Sequence, residues 1–451
     1  MRGTVLLTSC TFLIAELWRS SPRLPAPSAH LVSAVLALAV LTGLPSPADG
    51  QTTPPRIAAA ERLLEEERYA EATDTLEAYL RERPEGAEAA RAMTLLGTLA
   101  YWRGDLSSAV RRFEIALSMD PGQAEAARQL HEIEELTRPW ARLALEGTDD
   151  DQPYRQARLE LESGTFLTPL WTVQIALSPR RLRTSGDGPA AASDRGLDDA
   201  HAAGEARVEM GGFVPGARMD LTAGFGAVLQ EDVGWIGHAG AGIRLRGGVR
   251  LTGRVGRQHY LWTVASAQSL LLVDRAELVL GRKDHPGWAG EVVVRREFFP
   301  DDNAIATAYA WVLGPVFPGL RLGGAAAWQD AEESRWSPTT ERYTPYFTPE
   351  AQRVVSTLAE VTVPLGRTTA RLNGSYGVWA LEDAPGNHSG SDGLAFAQRS
   401  FAPWRVVAAL DVPAGEALSL RIEAERWETA FYARTRGSLA IVVRLDGISR
   451  Q

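Results

Sequence analysis

From Pro139 onward, apolar and polar residues alternate one by one, and no helical period interrupts the pattern for roughly 300 residues. In the stretch Ala157–Glu162, Ala157, Leu159 and Leu161 take one face, and Arg158, Glu160 and Glu162 take the other. Trp404, Val406, Ala408, Leu410 and Val412 oppose Arg405 and Asp411, and Leu418, Leu420 and Ile422 oppose Ser419, Arg421 and Glu423. A period of two is the signature of a strand whose two faces meet different surroundings. Here the polar face is often charged, with arginine and glutamate on neighbouring strands. A soluble sandwich buries one face and solvates the other, so a single strand of it reads the same way. A membrane barrel turns the apolar face to lipid and the charged face to a wet lumen. Closure also leaves no sheet edge exposed in lipid.

The wider pattern favours the barrel. About sixteen strand-like segments fit between residues 141 and 446, so the region 139–447 is expected to form an all-β antiparallel transmembrane barrel of about 16 strands. Short links such as Pro215-Gly216, Gly247-Gly248, Pro318-Gly319, Leu365-Gly366 and Ala414-Gly415 alternate with longer ones at 183–202, 331–352 and 382–401. Short turns at one end and long loops at the other are the outer-membrane arrangement. An even strand count puts both chain ends on the periplasmic side. Trp171, Trp235, Tyr260, Trp262, Trp288, Phe298, Trp328, Trp379, Trp404, Trp427, Phe431 and Tyr432 lie mostly near strand ends, as interfacial girdles require. Mean hydropathy is only −0.15, which suits strands that alternate and argues against a helical membrane protein. The polar face supplies the candidate lumen residues Arg142, Arg158, Glu160, Arg244, Arg246, Arg371, Arg405, Arg421, Glu423 and Arg444. Interior arginines of this kind could guide an anionic polymer. With acidic partners on the same faces, a plain hydrated or filled lumen is an equal expectation.

The N-terminus reads as an export signal. Residues 31–44 form an apolar run preceded by Arg19 and Arg23 and followed by Pro47-Ala48-Asp49-Gly50, so residues 1–50 are expected to hold a secretory signal peptide cleaved near 48–51. A mis-assigned start would explain the second apolar patch and the Pro/Ser/Arg-rich sequence within residues 1–30. Leu7-Thr8-Ser9-Cys10 superficially resembles a lipobox, but the apolar run before it is too short. With Cys10 as the single cysteine, neither an intrachain disulfide nor a cysteine metal site can form.

Residues 55–137 have a helical composition rich in Ala, Glu, Leu and Arg. Two segments within it align. Tyr69-Ala70-Glu71-Ala72 matches Leu106-Ser107-Ser108-Ala109, Leu76 matches Phe113, and Arg83-Pro84 matches Asp120-Pro121. The offset from Tyr69 to Leu106 is 37 residues, close to the period of about 34 of the tetratricopeptide repeat. Leu96, Gly97, Gly104, Ala109, Phe113, Ala116 and Pro121 resemble that family's signature in the second copy, as do Ala72 and Pro84 in the first. The resemblance implies an all-α module of about two repeats plus a capping helix, able to bind a periplasmic protein or peptide.

A periplasmic tetratricopeptide module before a barrel of about sixteen strands resembles the bacterial exopolysaccharide exporters: the cellulose-synthase exporter family, the poly-N-acetylglucosamine porins and the YaiO-type barrels. Tyr343-Thr344-Pro345-Tyr346-Phe347-Thr348-Pro349-Glu350 is similar to a Tyr-Phe-Ser-Pro motif of those barrels. The exporters carry many repeats and this chain about two. The resemblance implies an outer-membrane location with the helical module in the periplasm, contact with outer-membrane lipid, and a polysaccharide in the barrel. The competing expectation is a membrane-anchored adaptor that transports nothing.

No enzyme, cofactor or metal site is expected. The histidines are scattered without ligand spacing, and the glutamates of the polar face alternate with arginines, which favours lumen ion pairs over an acid–base dyad. His388, Ser389 and Asp392 share a loop whose composition alone explains them. Gly237 to Gly248 is glycine-rich but lies in strands, so it is no phosphate loop. The net charge of −9 argues against a nucleic-acid partner. Lys283 is the single lysine, so arginine as a residue type carries no sign of phosphate binding here.

Overall fold

The computed structural model describes residues 55–445 except 67, 83, 152–153, 185–199, 246–247, 284–286, 338–341, 386–395, 416 and 430–432. The expected signal peptide therefore lies outside the described residues, as do Arg246 and the loop residues His388, Ser389 and Asp392.

Five helices come first: α1 (Pro55–Glu65), α2 (Tyr69–Arg81), α3 (Gly86–Trp102), α4 (Leu106–Met119) and α5 (Ala124–Thr137). Each hides one stripe. On α2 the stripe is Ala72, Leu76 and Tyr79, and on α4 it is Ala109, Phe113 and Ala116, spaced as a helical face demands. Helix α1 packs on α2, α3 on α4, and α5 on both α3 and α4. Gly97 allows the close approach of α3 to α4, since a Cβ there would sit 2.5 Å from the Phe113 ring. The turn into α4 needs Gly104, whose φ of +79° is costly for other residues. Asp105 then caps α4, its carboxylate accepting from the Ser108 amide at 3.1 Å.

Apart from a two-stranded ribbon of Trp336–Ser337 and Arg342–Tyr343, the strands form one closed antiparallel sheet. Its staves are β1 (Trp140–Asp150), β2 (Tyr154–Thr168), β3 (Trp171–Leu177 continued by Arg180–Thr184), β4 (Ala200–Val214), β5 (Met219–Leu229), β6 (Val233–Arg244), β7 (Arg250–His259) and β8 (Leu272–Arg282). The other half comprises β9 (Ala289–Phe298), β10 (Ala304–Phe317), β11 (Leu320–Ala331), β12 (Gln352–Leu365), β13 (Thr368–Pro385), β14 (Phe396–Ser400 continued by Trp404–Pro413), β15 (Leu418–Glu428) and β16 (Ala433–Arg444). The 18 paired segments, two staves being split in two, make sixteen staves. β1 closes the ring against β16, from Trp140 opposite Arg444 to Asp150 opposite Arg434.

α5 leads into β1 at one end of the barrel, the near end, and β16 finishes there. The near-end links are short, for example 169–170, 318–319 and 366–367. The three long links expected at 183–202, 331–352 and 382–401 all fall at the opposite, far end. Leu143, Leu145, Leu161, Ile175, Leu177, Val292 and Val294 are exposed on the outer surface, forming the apolar band a barrel shows to lipid. No helix among the described residues is long and apolar enough to cross a membrane.

Candidate functional site

The inner face of the barrel is a lattice of ion pairs. On β1 and β2 the even-numbered residues point inward. There Arg142 donates to Glu160 at 2.6 Å and to Glu162 at 2.9 Å, and Arg158 also binds Glu160. Arg180, almost fully buried, meets Glu205 at 3.0 Å. Arg371 holds Asp411 at 2.5 Å, Arg405 holds Glu425 at 2.6 Å, and Arg421 holds Glu423 at 2.9 Å. Arg436, not among the sequence candidates, bridges Glu423 at 2.8 Å and Glu425 at 2.9 Å. Strand pleat and register bring these groups together, because residues facing each other across a ladder share one side of the sheet. A cavity of about 470 Å³ against β2–β8 is lined by Arg158, Arg180, Arg207, Arg254, Glu205 and Glu277, among others.

Two candidates tie the helices to the near end. Arg244 donates to the Trp102 carbonyl at 2.9 Å, lies 3.4 Å from Asp220 and stacks over the Phe213 ring at 5.5 Å. Arg444 meets Glu135 of α5 at 3.6 Å. Of the repeat-signature residues, Ala72, Leu96, Gly97, Ala109, Phe113 and Ala116 are buried between helices; Gly104 makes the α3–α4 turn, while Pro84 and Pro121 stand in links.

The far mouth departs from a plain lumen, because two links fold inward. The link 260–271 carries a short helix, α6 (Val264–Gln268), started by a capping box of Thr263 and Ser266. α6 does not stay beside β7 and β8. Ala267, with Leu261 and Val264, packs on Tyr154 of β2, Leu182 of β3 and Ala203 of β4. Trp262 reaches β15 and β16, eight staves round the ring from β7 and β8. There the Arg434 guanidinium sits 4.5 Å above its ring, and Trp427 meets it edge-on at 6.4 Å. Arg434 in turn pairs with buried Asp150 at 3.1 Å. Gln230 donates to the Ala267 carbonyl at 2.8 Å.

The second inward link, 332–351, contains the Tyr343–Glu350 motif. Tyr346 is fully buried, stacked on Phe299 at 3.6 Å within a cluster of Tyr260, Leu271, Val273, Ile305 and Ala331. Thr263 donates to the Pro345 carbonyl at 2.5 Å, joining the two links. Tyr260 and Trp427, expected at a lipid-facing girdle, are therefore part of this inner closure, and Trp262, itself 46% exposed, joins it through Arg434 and Trp427. Trp235, Trp288, Phe298, Trp328 and Trp379 are exposed.

An aspartate anchors the second link. Burial alone would push the Asp301 carboxyl up. Hydrogen bonds from Tyr346 at 2.7 Å and from Arg335 at 2.6 Å outweigh that and hold it below the ordinary value of 3.8. A depressed carboxylate stabilises the folded link fully above 3.8, and the contribution fades as pH falls from there through the lowered value. Radical footprinting should therefore show Tyr346 protected at pH 6 and labelled increasingly below pH 3.8, while Asp301→Asn should label at both. Unchanged protection in that variant would remove the anchor role.

Comparison with known protein families and with curated proteins gives no match. Among solved structures, the chain is similar to a bacterial polysaccharide outer membrane secretin, with a TM-score of 0.50 and 10% identity over 69% of this chain and 99% of that one. Weaker likenesses are to the outer membrane protein OpdK from Pseudomonas aeruginosa (TM-score 0.38, 13% identity, 68% and 98% covered) and to the FrpB iron transporter from Neisseria meningitidis (TM-score 0.37, 11% identity, 67% and 60% covered). What is shared with the first of these is the fold, a closed antiparallel barrel.

Proposed function

We propose that this chain is an outer-membrane barrel with a periplasmic tetratricopeptide-type docking module, and that its lumen passes a polysaccharide or similar polymer out of the cell. The observation that carries the reading is the combination of an apolar outer band, a lumen lined by ion pairs, and a helical module at the short-turn end. A paired arginine–glutamate wall presents leftover N–H donors and carboxylate acceptors around its circumference, which suits a hydrated, hydroxyl-rich chain better than an apolar solute. The fold likeness to a polysaccharide secretin supports the same cargo class. The helical module offers its exposed faces to a periplasmic protein, as paired-helix repeats do. No residue is assigned a catalytic step.

A second reading has its own support. α6 and Tyr346 fill the far mouth, as they would in an anchored adaptor that transports nothing. Heat-modifiability of the protein in isolated outer membranes, followed by planar-bilayer conductance, separates the cases. A faster-migrating unboiled band with discrete, gated conductance is the expected result. A heat-modifiable but silent barrel would favour the adaptor. A soluble periplasmic protein with no band shift would overturn both.

A further inference from the structure

We infer that the outer surface of β2 and β3, at the far end, binds the phosphate-bearing headgroup of an outer-leaflet lipid through Arg155, Arg181 and Arg183. Leu182 is buried inside the barrel against α6, so its neighbours Arg181 and Arg183 stand on the opposite, outer face, and both are exposed. Arg183 lies directly opposite Arg155 across the β2–β3 ladder, and Arg181 opposite Ala157. Like charges in direct register destabilise a sheet unless an anion joins them. Asp149 meets Arg155 at 2.6 Å. Among the described residues no carboxylate comes within 4.0 Å of Arg181 or Arg183.

The level of the cluster identifies the anion. On the same face, further towards the near end, Leu161 faces Leu177, with Leu143, Leu145 and Ile175 around them, all exposed. At the other end of the two staves that face carries Leu167 and Trp171 and no charge. Three guanidiniums thus stand at the rim of an apolar band, where the phosphates of a lipid lie while its acyl chains cover the leucines. Guanidinium forks match phosphate oxygens two at a time. A free phosphate ion would make no use of the leucines.

The inference rests on the outer-membrane reading. Its test uses the full-length protein purified in detergent, with bis-phosphorylated lipid A and its dephosphorylated form as probes and native mass spectrometry as the readout. Wild type should retain the phosphorylated lipid, and the Arg155→Gln/Arg181→Gln/Arg183→Gln variant should retain at least about tenfold less, with the heat-shifted band intact. The single variant Arg181→Gln, with about a fivefold loss, serves if the triple variant does not fold. Equal retention by variant and wild type, equal retention of dephosphorylated lipid, or displacement by millimolar inorganic phosphate would overturn the headgroup site. Absence of the heat-shifted band in wild type would instead overturn the barrel reading on which the site depends.

Discussion

Replacing residues 261–270 with Asn-Gly should raise the conductance of the purified barrel on the order of tenfold, toward that of an open sixteen-stranded channel. The replacement is geometrically gentle. The Tyr260 amide already donates to the Leu271 carbonyl at 2.9 Å, so the two residues sit as partners at the top of a hairpin, and a two-residue turn can join them. What disappears is the span that carries Trp262 to Arg434 and lays α6 on Tyr154, Leu182 and Ala203. The ladder beneath, from Arg250 opposite Gly281 to His259 opposite Leu272, remains. Retention of the heat-shifted band would confirm that the barrel still closes. If conductance then matches wild type, the 260–271 link does not obstruct the lumen.

The second large effect falls on the helices. Phe113→Ala should destabilise the helical module by about 3–5 kcal/mol, the usual cost of emptying a fully buried aromatic site. Phe113 has no exposed surface, fills the gap left by Gly97 and packs with Ala100, Ala109, Ala116, Ala126 and Ile133. A module of this size holds only about 5–15 kcal/mol in total, so a large part of its margin goes. Trypsin should then cut rapidly between α1 and α5 in the full-length protein, with the barrel's band shift unaffected. Met119→Ala, at an exposed position on the same helix, should leave the cleavage rate close to wild type. Equal resistance of Phe113→Ala would mean that contacts with the barrel, such as Arg244 to the Trp102 carbonyl, hold the helices in place.

The staves were legible because alternation is a local property. Arg158, Glu160 and Glu162 announce their shared face within six residues, and each expected strand overlaps an observed stave. The inward closure was not legible, because it depends on contacts between residues far apart in the chain. Tyr260 and Trp262 look like girdle residues until Leu182, Ala203 and Trp427 are known to lie across the lumen from them. A signal was nevertheless present. Leu182 shares a face with Arg180, and Val273 shares one with Arg275 and Glu277; near the far end the polar face turns apolar. Apolar residues on the wet side of a barrel mark where something else covers them. Of the lumen candidates, Arg244 and Arg444 instead meet the helices, which strand periodicity cannot foresee because the partner carbonyl and carboxylate belong to α3 and α5.

The seam between β1 and β16 has a consequence for how the molecule is made. Trp140 pairs with Arg444, so the ring cannot shut until every residue from 140 to 444 has been synthesised. Such a long-range pairing is among the slowest contacts to form. α1 to α5 contain everything needed for their own cores and are complete once Thr137 has emerged. The helical module can thus be folded while the strands behind it are still open, and under the docking role proposed above its partner would meet it before the barrel is finished.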